Sequence, residues 1–228
     1  WHLAATDVDS NGENEIVYAT HGGQVGCLNP ADGRILWEAP IGGFPFDLAV
    51  GDADGDGTPE VFVAAADGAL YAFKADGKPL WRFRPNNAAM LSVDLADIGG
   101  RPYVVCGGID RRVYLLDSGG HEVVSEELKF VVRNLAVGDR DADGDQEVFV
   151  LDCRRVGRGV WLKLEGDTLK PVWRKRLTVP HHRTGEPQKL VAYSVEAVDL
   201  NGDSRCEVVV GTGLGGGNRV IAYDHKGE

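Results

Sequence analysis

One acidic loop recurs along this chain, and its recurrence leaves few folds open. Asp7 opens DVDSNGENE, Asp52 opens DADGDGTPE, Asp139 opens DRDADGDQE and Asp199 opens DLNGDSRCE. A worn copy, DIGGRPY, starts at Asp97. Successive copies are offset by 45, 45, 42 and 60 residues. Each full copy lies between an apolar run such as FDLAVGD and an alternating run such as EVFVAAA. A fixed period of this kind marks a repeat architecture, in which each unit buries its apolar faces only against its neighbours.

Within a unit, a glycine turn leads to a further strand-like run, such as ALYAFKA, RVYLLDS or RVIAYDH. Units one, two and four then carry a tryptophan strand: GRILWEA, GKPLWRF and LKPVWRK. The runs are short, rich in Val, Leu, Tyr and Phe, and nowhere sustain a helical period. Glycine, at 31 of 228 residues, exceeds the usual share of about 7%, as many tight turns require. Four short strands in about 45 residues make one propeller blade. The fold class expected is therefore all-β, a β-propeller of repeated four-stranded blades. Five units fall near residues 1–45, 46–91, 92–133, 134–194 and 195–228, forming one propeller domain or a propeller fragment. Trp37, Trp81 and Trp173 occupy equivalent positions and are expected to pack between blades, as are Tyr71, Tyr114 and Trp161 in the preceding strand. The last unit stops without its tryptophan strand. Either the residues around Trp1 complete it by strand exchange, or the chain is part of a larger propeller or one domain of a longer protein.

The loops have the chemistry of a calcium site. Calcium takes six to eight oxygen ligands in flexible geometry, and side chains at positions 1, 3 and 5 of a tight loop can converge on it. A glycine after position 5 permits the sharp turn, and glutamate at position 9 closes the shell directly or through water. The ligands expected are Asp7, Asp9, Asn11 and Glu15; Asp52, Asp54, Asp56 and Glu60; Asp139, Asp141, Asp143 and Glu147; and Asp199, Asn201, Asp203 and Glu207. Ser204 replaces the glycine of the last copy. The worn copy at Asp97 has lost its carboxylates, and no metal is expected there. Carboxylates crowded in this way repel one another without a cation, and the net charge of −11 suits counter-charge for Ca2+.

On these loops and strands the chain resembles the FG-GAP/VCBS class, the calcium-bearing propeller repeats of integrin α subunits and many bacterial extracellular proteins. ALYAFKADGKPLW also resembles the repeats of PQQ-type propellers, without their quinone-binding residues. The resemblance implies calcium at the loop positions named above, although the family commonly has Asp at position nine where all four copies here have Glu. It implies a secreted, periplasmic or cell-surface protein.

No basic stripe suggests nucleic acid, and no apolar run has the length of a membrane span. Cys27, Cys106, Cys153 and Cys206 lack close ligand spacing and are expected to be free thiols. The chain begins at Trp1 and is expected to be a mature or trimmed form. The longest spacing inserts LTVPHHRTGEPQKLVAYS, residues 177–194, between units four and five. His181, His182, Arg183 and Tyr193, with Glu186 and Lys189 nearby, offer a titratable base, a cation and hydrogen-bond donors. The main expectation is a calcium-stabilised, non-catalytic module that binds carbohydrate or an extracellular protein. The alternatives are a polysaccharide lyase that uses this insertion on uronate-containing glycans, and a purely structural domain of a larger secreted protein.

Overall fold

The computed structural model describes residues 2–152, 157–180, 184–189, 192–213 and 219–228. It is an all-β propeller of five antiparallel blades. Blade 1 comprises β1 (His2–Thr6), β2 (Glu15–Ala19), β3 (Gln24–Leu28) and β4 (Ile35–Pro40). Blade 2 comprises β5 (Pro45–Gly51), β6 (Glu60–Ala65), β7 (Leu70–Phe73) and β8 (Pro79–Phe83). Blade 3 comprises β9 (Met90–Ile98), β10 (Arg101–Gly108), β11 (Arg112–Leu116) and β12 (Glu122–Glu127). Blade 4 comprises β13 (Asn134–Gly138), β14 (Glu147–Asp152), β15 (Arg158–Glu165) and β16 (Thr168–Arg176). A two-stranded hairpin of β17 (Thr178–Pro180) and β18 (Pro187–Lys189) follows. Blade 5 shows β19 (Ala192–Val198), β20 (Glu207–Thr212) and β21 (Val220–Tyr223). Strand β1 pairs with β2 as the first strand of blade 1, so residues 2–6 do not complete blade 5.

Each blade is a meander, and the first strands of consecutive blades run side by side, β1 by β5, β5 by β9, β9 by β13 and β13 by β19. The core is divided among the joints. Val17, Val25 and Cys27 of blade 1 pack with Val61, Val63 and Phe73 of blade 2. Phe62, Ala64 and Leu70 turn the other way, onto Met90, Val104 and Leu116 of blade 3. Strands β6 and β14 are therefore buried along their whole length. Alternation sends successive side chains to opposite faces, and here a neighbouring blade covers each face.

The tryptophans lock these joints. The Trp37 indole N–H donates to the Ala75 carbonyl at 2.7 Å and that of Trp81 to the Ser118 carbonyl at 2.7 Å, in each case in the next blade. Each ring lies on a turn glycine. A Cβ on Gly77 or Gly120 would stand 2.5 Å from the indole, and one on Gly227 2.6 Å from Trp173. All three glycines have positive φ, so both the turn and the ring exclude a side chain. Trp161 departs from the expected grouping. It pairs opposite Trp173 as Ala72 does opposite Trp81, whereas Tyr71 and Tyr114 lie one register step away. Those two tyrosines donate to Asp67 and Asp110 at 2.7 Å, while Trp161 is buried in the joint between blades 4 and 5.

Candidate functional site

The first strands repeat a polar position. Five residues ahead of the loop-opening aspartate they carry His2, Asp47, Ser92, Asn134 and Ser194. Three residues ahead stand Ala4, Ala49, Asp94, Ala136 and Glu196. An even separation keeps the two positions on one strand face. Side chains from all five first strands line one cavity of 340 Å³, to which Asp47, Asp94, Glu196, His2 and Tyr193 contribute.

At the first level four of the five side chains reach the next blade. His2 Nδ1 lies 3.3 Å from Asp47 Oδ1. Asp47 Oδ2 accepts from Ser92 Oγ at 2.7 Å and from the Val93 N–H at 3.1 Å. Ser92 Oγ accepts from the Leu135 N–H at 3.2 Å, and Asn134 Nδ2 donates to the Tyr193 carbonyl at 3.2 Å. At the second level Asp94 accepts from the N–H groups of Leu95 and Val137. Burial nevertheless pushes its carboxyl up to about 7, and the charges of Glu196 and Asp47 add to the rise. Burial also raises Asp47, against its bonds to Ser92 and Val93 and the His2 ring. Glu196 is raised by burial and by Asp47. Such a set places one carboxyl group that titrates near neutral pH beside two further carboxyl groups in one cavity.

The acidic loops share a fixed frame. The first aspartate caps the turn with both oxygens, as Asp52 does to Gly55 and Gly57 at 2.7 and 2.8 Å and Asp139 to Ala142 and Gly144 at 2.7 and 2.9 Å. The ninth-position glutamate is buried in all four copies. Its Oε2 accepts the N–H of Val8, Ala53, Arg140 or Leu200 at 2.9–3.0 Å. Positions 1, 3 and 9 converge: the ligand oxygens of Asp7, Asp9 and Glu15 lie within 4.8 Å of one another, as do those of Asp52, Asp54 and Glu60, and of Asp139, Asp141 and Glu147. Position 5 instead holds the turn, with Asn11, Asp56, Asp143 and Asp203 each accepting the N–H two residues on. In the last copy Asn201 Nδ2 donates to Glu207 Oε1 at 3.0 Å, and among the described residues no convergent group forms around Asp199. At Asp97, Gly99 and Gly100 form a tight turn tied to Asp145 and Gln146 of blade 4.

The insertion places Tyr193 at the channel cavity, 61% exposed, and Glu186 in solvent. His181, His182 and Arg183 lie outside the described residues, as do the side chain of Lys189 and all of Cys153. Cys27, Cys106 and Cys206 are free. Among the described residues no helix is long and apolar enough to cross a membrane.

Residues 30–129 match the family model of the lambda-carrageenase β-propeller domain. The chain is 32% identical over 136 residues to a lambda-carrageenase of Pseudoalteromonas sp. and 35% identical over 111 residues to that of Pseudoalteromonas carrageenovora. These alignments cover 59% and 48% of this chain but only 14% and 12% of those proteins. Among solved structures, a chain of the complex of BBS1N with ARL6DN superposes with TM-score 0.72 at 15% identity, over 99% of this chain and 65% of that one. BamB from Moraxella catarrhalis gives 0.57 at 16% identity, over 97% and 64%. Both likenesses concern the fold alone.

These matches correct three expectations. The FG-GAP/VCBS and PQQ resemblance gives way to a carrageenase-type propeller. The acidic loop is not diagnostic of that class because its Asp, Asn and Gly residues answer to turn geometry: Ser10, Gly55, Ala142 and Gly202 at position 4, and Gly12, Gly57, Gly144 and Ser204 at position 6, all have positive φ. Such loops carry no family label, and they no longer support calcium as a defining family trait. The preference for a non-catalytic module is overturned as well, because the relatives are enzymes by name. This chain is a β-propeller related in sequence to the propeller of lambda-carrageenase.

Proposed function

We propose that this chain is the propeller portion of a polysaccharide-cleaving protein acting outside the cytoplasm, and that the sugar chain meets it at the axial cavity. The observation that carries this reading is the convergence of polar side chains from all five first strands on one cavity, in a propeller similar to that of lambda-carrageenase. Carboxylates and the Tyr193 hydroxyl suit sugar hydroxyls, and an exposed aromatic ring gives a pyranose a face to rest on. A second reading makes the cavity itself catalytic. Bond cleavage between sugars commonly uses one protonated and one ionised carboxyl group, and Asp94, at about 7, beside Glu196 and Asp47 fits that need. The insertion residues His181, His182, Arg183 and Tyr193 are the competing set for a lyase-type reaction.

The test is turnover of lambda-carrageenan, followed by release of reducing ends, in the wild type and in Asp94→Asn, Glu196→Gln, Tyr193→Phe and a His181/His182/Arg183 triple alanine variant. Loss of kcat by about 100-fold or more in Asp94→Asn with KM retained assigns chemistry to the cavity, on the usual scale for acid–base groups. A raised KM alone assigns binding. Unchanged kinetics in Asp94→Asn and Glu196→Gln would remove the cavity from the reaction.

We also infer that the first two acidic loops hold divalent cations, Ca2+ foremost. Three carboxylate oxygens within 4.8 Å, all hard donors, fit that ion. Asp7, Asp9 and Glu15 would hold one and Asp52, Asp54 and Glu60 the other, stabilising the rim. Burial raises the Glu60 carboxyl, with Asp54, Asp52 and Asp56 adding to the rise, and a bound cation reverses that penalty. Calcium at 100 times its Kd is expected to add about 2.7 kcal/mol per site, read as a higher Tm than in chelator. Equal Tm values with calcium and with chelator would reduce the loops to hydrogen-bonded turns.

A further inference from the structure

The acidic loop of blade 4 already contains a cation. Lys163 Nζ lies 3.1 Å from Asp141 Oδ2, 2.5 Å from Asp143 Oδ2 and 2.8 Å from Glu147 Oε1. Its side chain is only 20% exposed, and Glu147 is fully buried. The ammonium therefore sits among the oxygens that a metal would need, and it engages position 5 as well as positions 3 and 9.

The strand register explains why this happens in one blade. Val148 pairs with Leu162, so the next residue, Lys163, stands across from Glu147. The same step in the other blades reaches Asn29, Lys74, Asp117 and Asp224. Three of these are Asn or Asp and cap their hairpin turns, accepting the N–H groups of Ala31, Gly119 and Lys226. Lys74 is a lysine, but β7 ends at Phe73 and Lys74 is already in the turn, exposed and with its charge acting on Asp76. Strand β15 instead continues to Glu165, paired with β16 through Glu165↔Thr168. The longer ladder holds Lys163 on the strand and aims it at the loop.

We propose that Lys163 is the resident cation of the blade 4 loop, so that this loop binds no divalent ion and only the loops of blades 1 and 2 do. The second half of that statement rests on the cation reading given above; the first half stands apart from it. A divalent ion and the ammonium compete for the same Asp141 and Glu147 oxygens. The lysine has the advantage of being tethered, since its binding is intramolecular. Each loop thus meets its charge in its own way: blades 1 and 2 by an exchangeable ion, blade 4 by a lysine, and blade 5 in part by the Asn201 amide.

The test counts bound calcium per chain by equilibrium dialysis with radioactive calcium, for wild type and Lys163→Met, with circular dichroism as the check on folding. Two ions in the wild type and three in Lys163→Met are expected. No ion in the wild type and one in the variant would support the lysine's role while removing the reading of blades 1 and 2. Equal stoichiometry in both proteins, or three ions in the wild type, overturns the proposal. A second measurement uses the unaltered protein. Acetylation by acetic anhydride, mapped by mass spectrometry, should leave Lys163 at least tenfold less modified than Lys74, with or without millimolar calcium. Calcium-induced labelling of Lys163 would show that the ion displaces it, and the proposal would fall.

Discussion

Asp94→Asn is expected to be more stable than the wild type at pH 8 by about 2–4 kcal/mol, at about 1.4 kcal/mol per pKa unit, with the difference vanishing near pH 4. The Asp94 carboxyl is raised to about 7 by burial and by the facing charges of Glu196 and Asp47. In the unfolded chain it titrates near 4. Between about pH 4 and pH 7 the native state holds a proton that the unfolded state has released, so stability falls as pH rises through that window. Above about 7 the full penalty remains. The asparagine keeps an oxygen for the N–H groups of Leu95 and Val137, and its amide N–H groups can donate to the carboxylates nearby. Other groups face Asp94 in the cavity, namely His2 from β1, Asp47 from β5 and Glu196 from β19. The loop carboxylates Asp52 and Asp199 are lowered by backbone N–H groups, against their slight burial, and act in the opposite sense, losing stability as pH falls. The informative quantity is therefore the difference between variant and wild type, from urea unfolding at half-unit steps between pH 4.5 and 8. A difference that does not change with pH would show that Asp94 titrates normally.

The second large effect is expected at a joint. Trp81→Ala should cost about 3 kcal/mol or more, the range for truncating a large packed aromatic side chain. That corresponds to a fall in Tm of about 6–12 °C at 2–4 °C per kcal/mol for a domain of this size. The indole packs on Phe62 with centroids 5.7 Å apart, lies on Gly120 and donates to the Ser118 carbonyl. Its removal strips apolar contact from the joint between blades 2 and 3 and leaves that carbonyl without its donor. Gly120→Ala attacks the same contact from the other side. The double variant should therefore cost less than the sum of the two, as neighbours sharing one contact do. A loss below about 1 kcal/mol for Trp81→Ala would show that the strands hold the joint without the ring.

What the sequence disclosed follows from what repeats as identity. Trp37, Trp81 and Trp173 recur as the same residue, and the loop recurs as one string, so blades and joints were legible. The axial site was not, because its position repeats only as polarity. His2, Asp47, Ser92, Asn134 and Ser194 share no residue type, and each looks like ordinary strand alternation until the five strands are brought around one axis. Lys163 was hidden for another reason. It lies far along the chain from Asp141 and Glu147, and only the β14–β15 register, lengthened past Leu162, sets it against them. Trp161 falls opposite Phe149, as Ala72 falls opposite Phe62, because the β14–β15 hairpin is two residues longer than that of β6–β7. The carboxylates of position 5 looked like ligands because an Asx turn and a metal loop call for the same side chain.

The tryptophan joint has a consequence for how such molecules come to vary. Blade 2 carries the Trp81 ring on one edge and Gly77, which receives Trp37, on the other, so the contact is head-to-tail and this unit is both plug and socket. A heterologous contact of that kind does not itself set the number of copies; the rotation per step decides where a ring closes. Duplication of blade 2 would therefore bring a compatible plug and socket with it, and its deletion would leave Trp37 of blade 1 to mate with Gly120 of blade 3. Blade number can change there by a whole unit while this joint chemistry is kept, and the axial cavity widens or narrows with it.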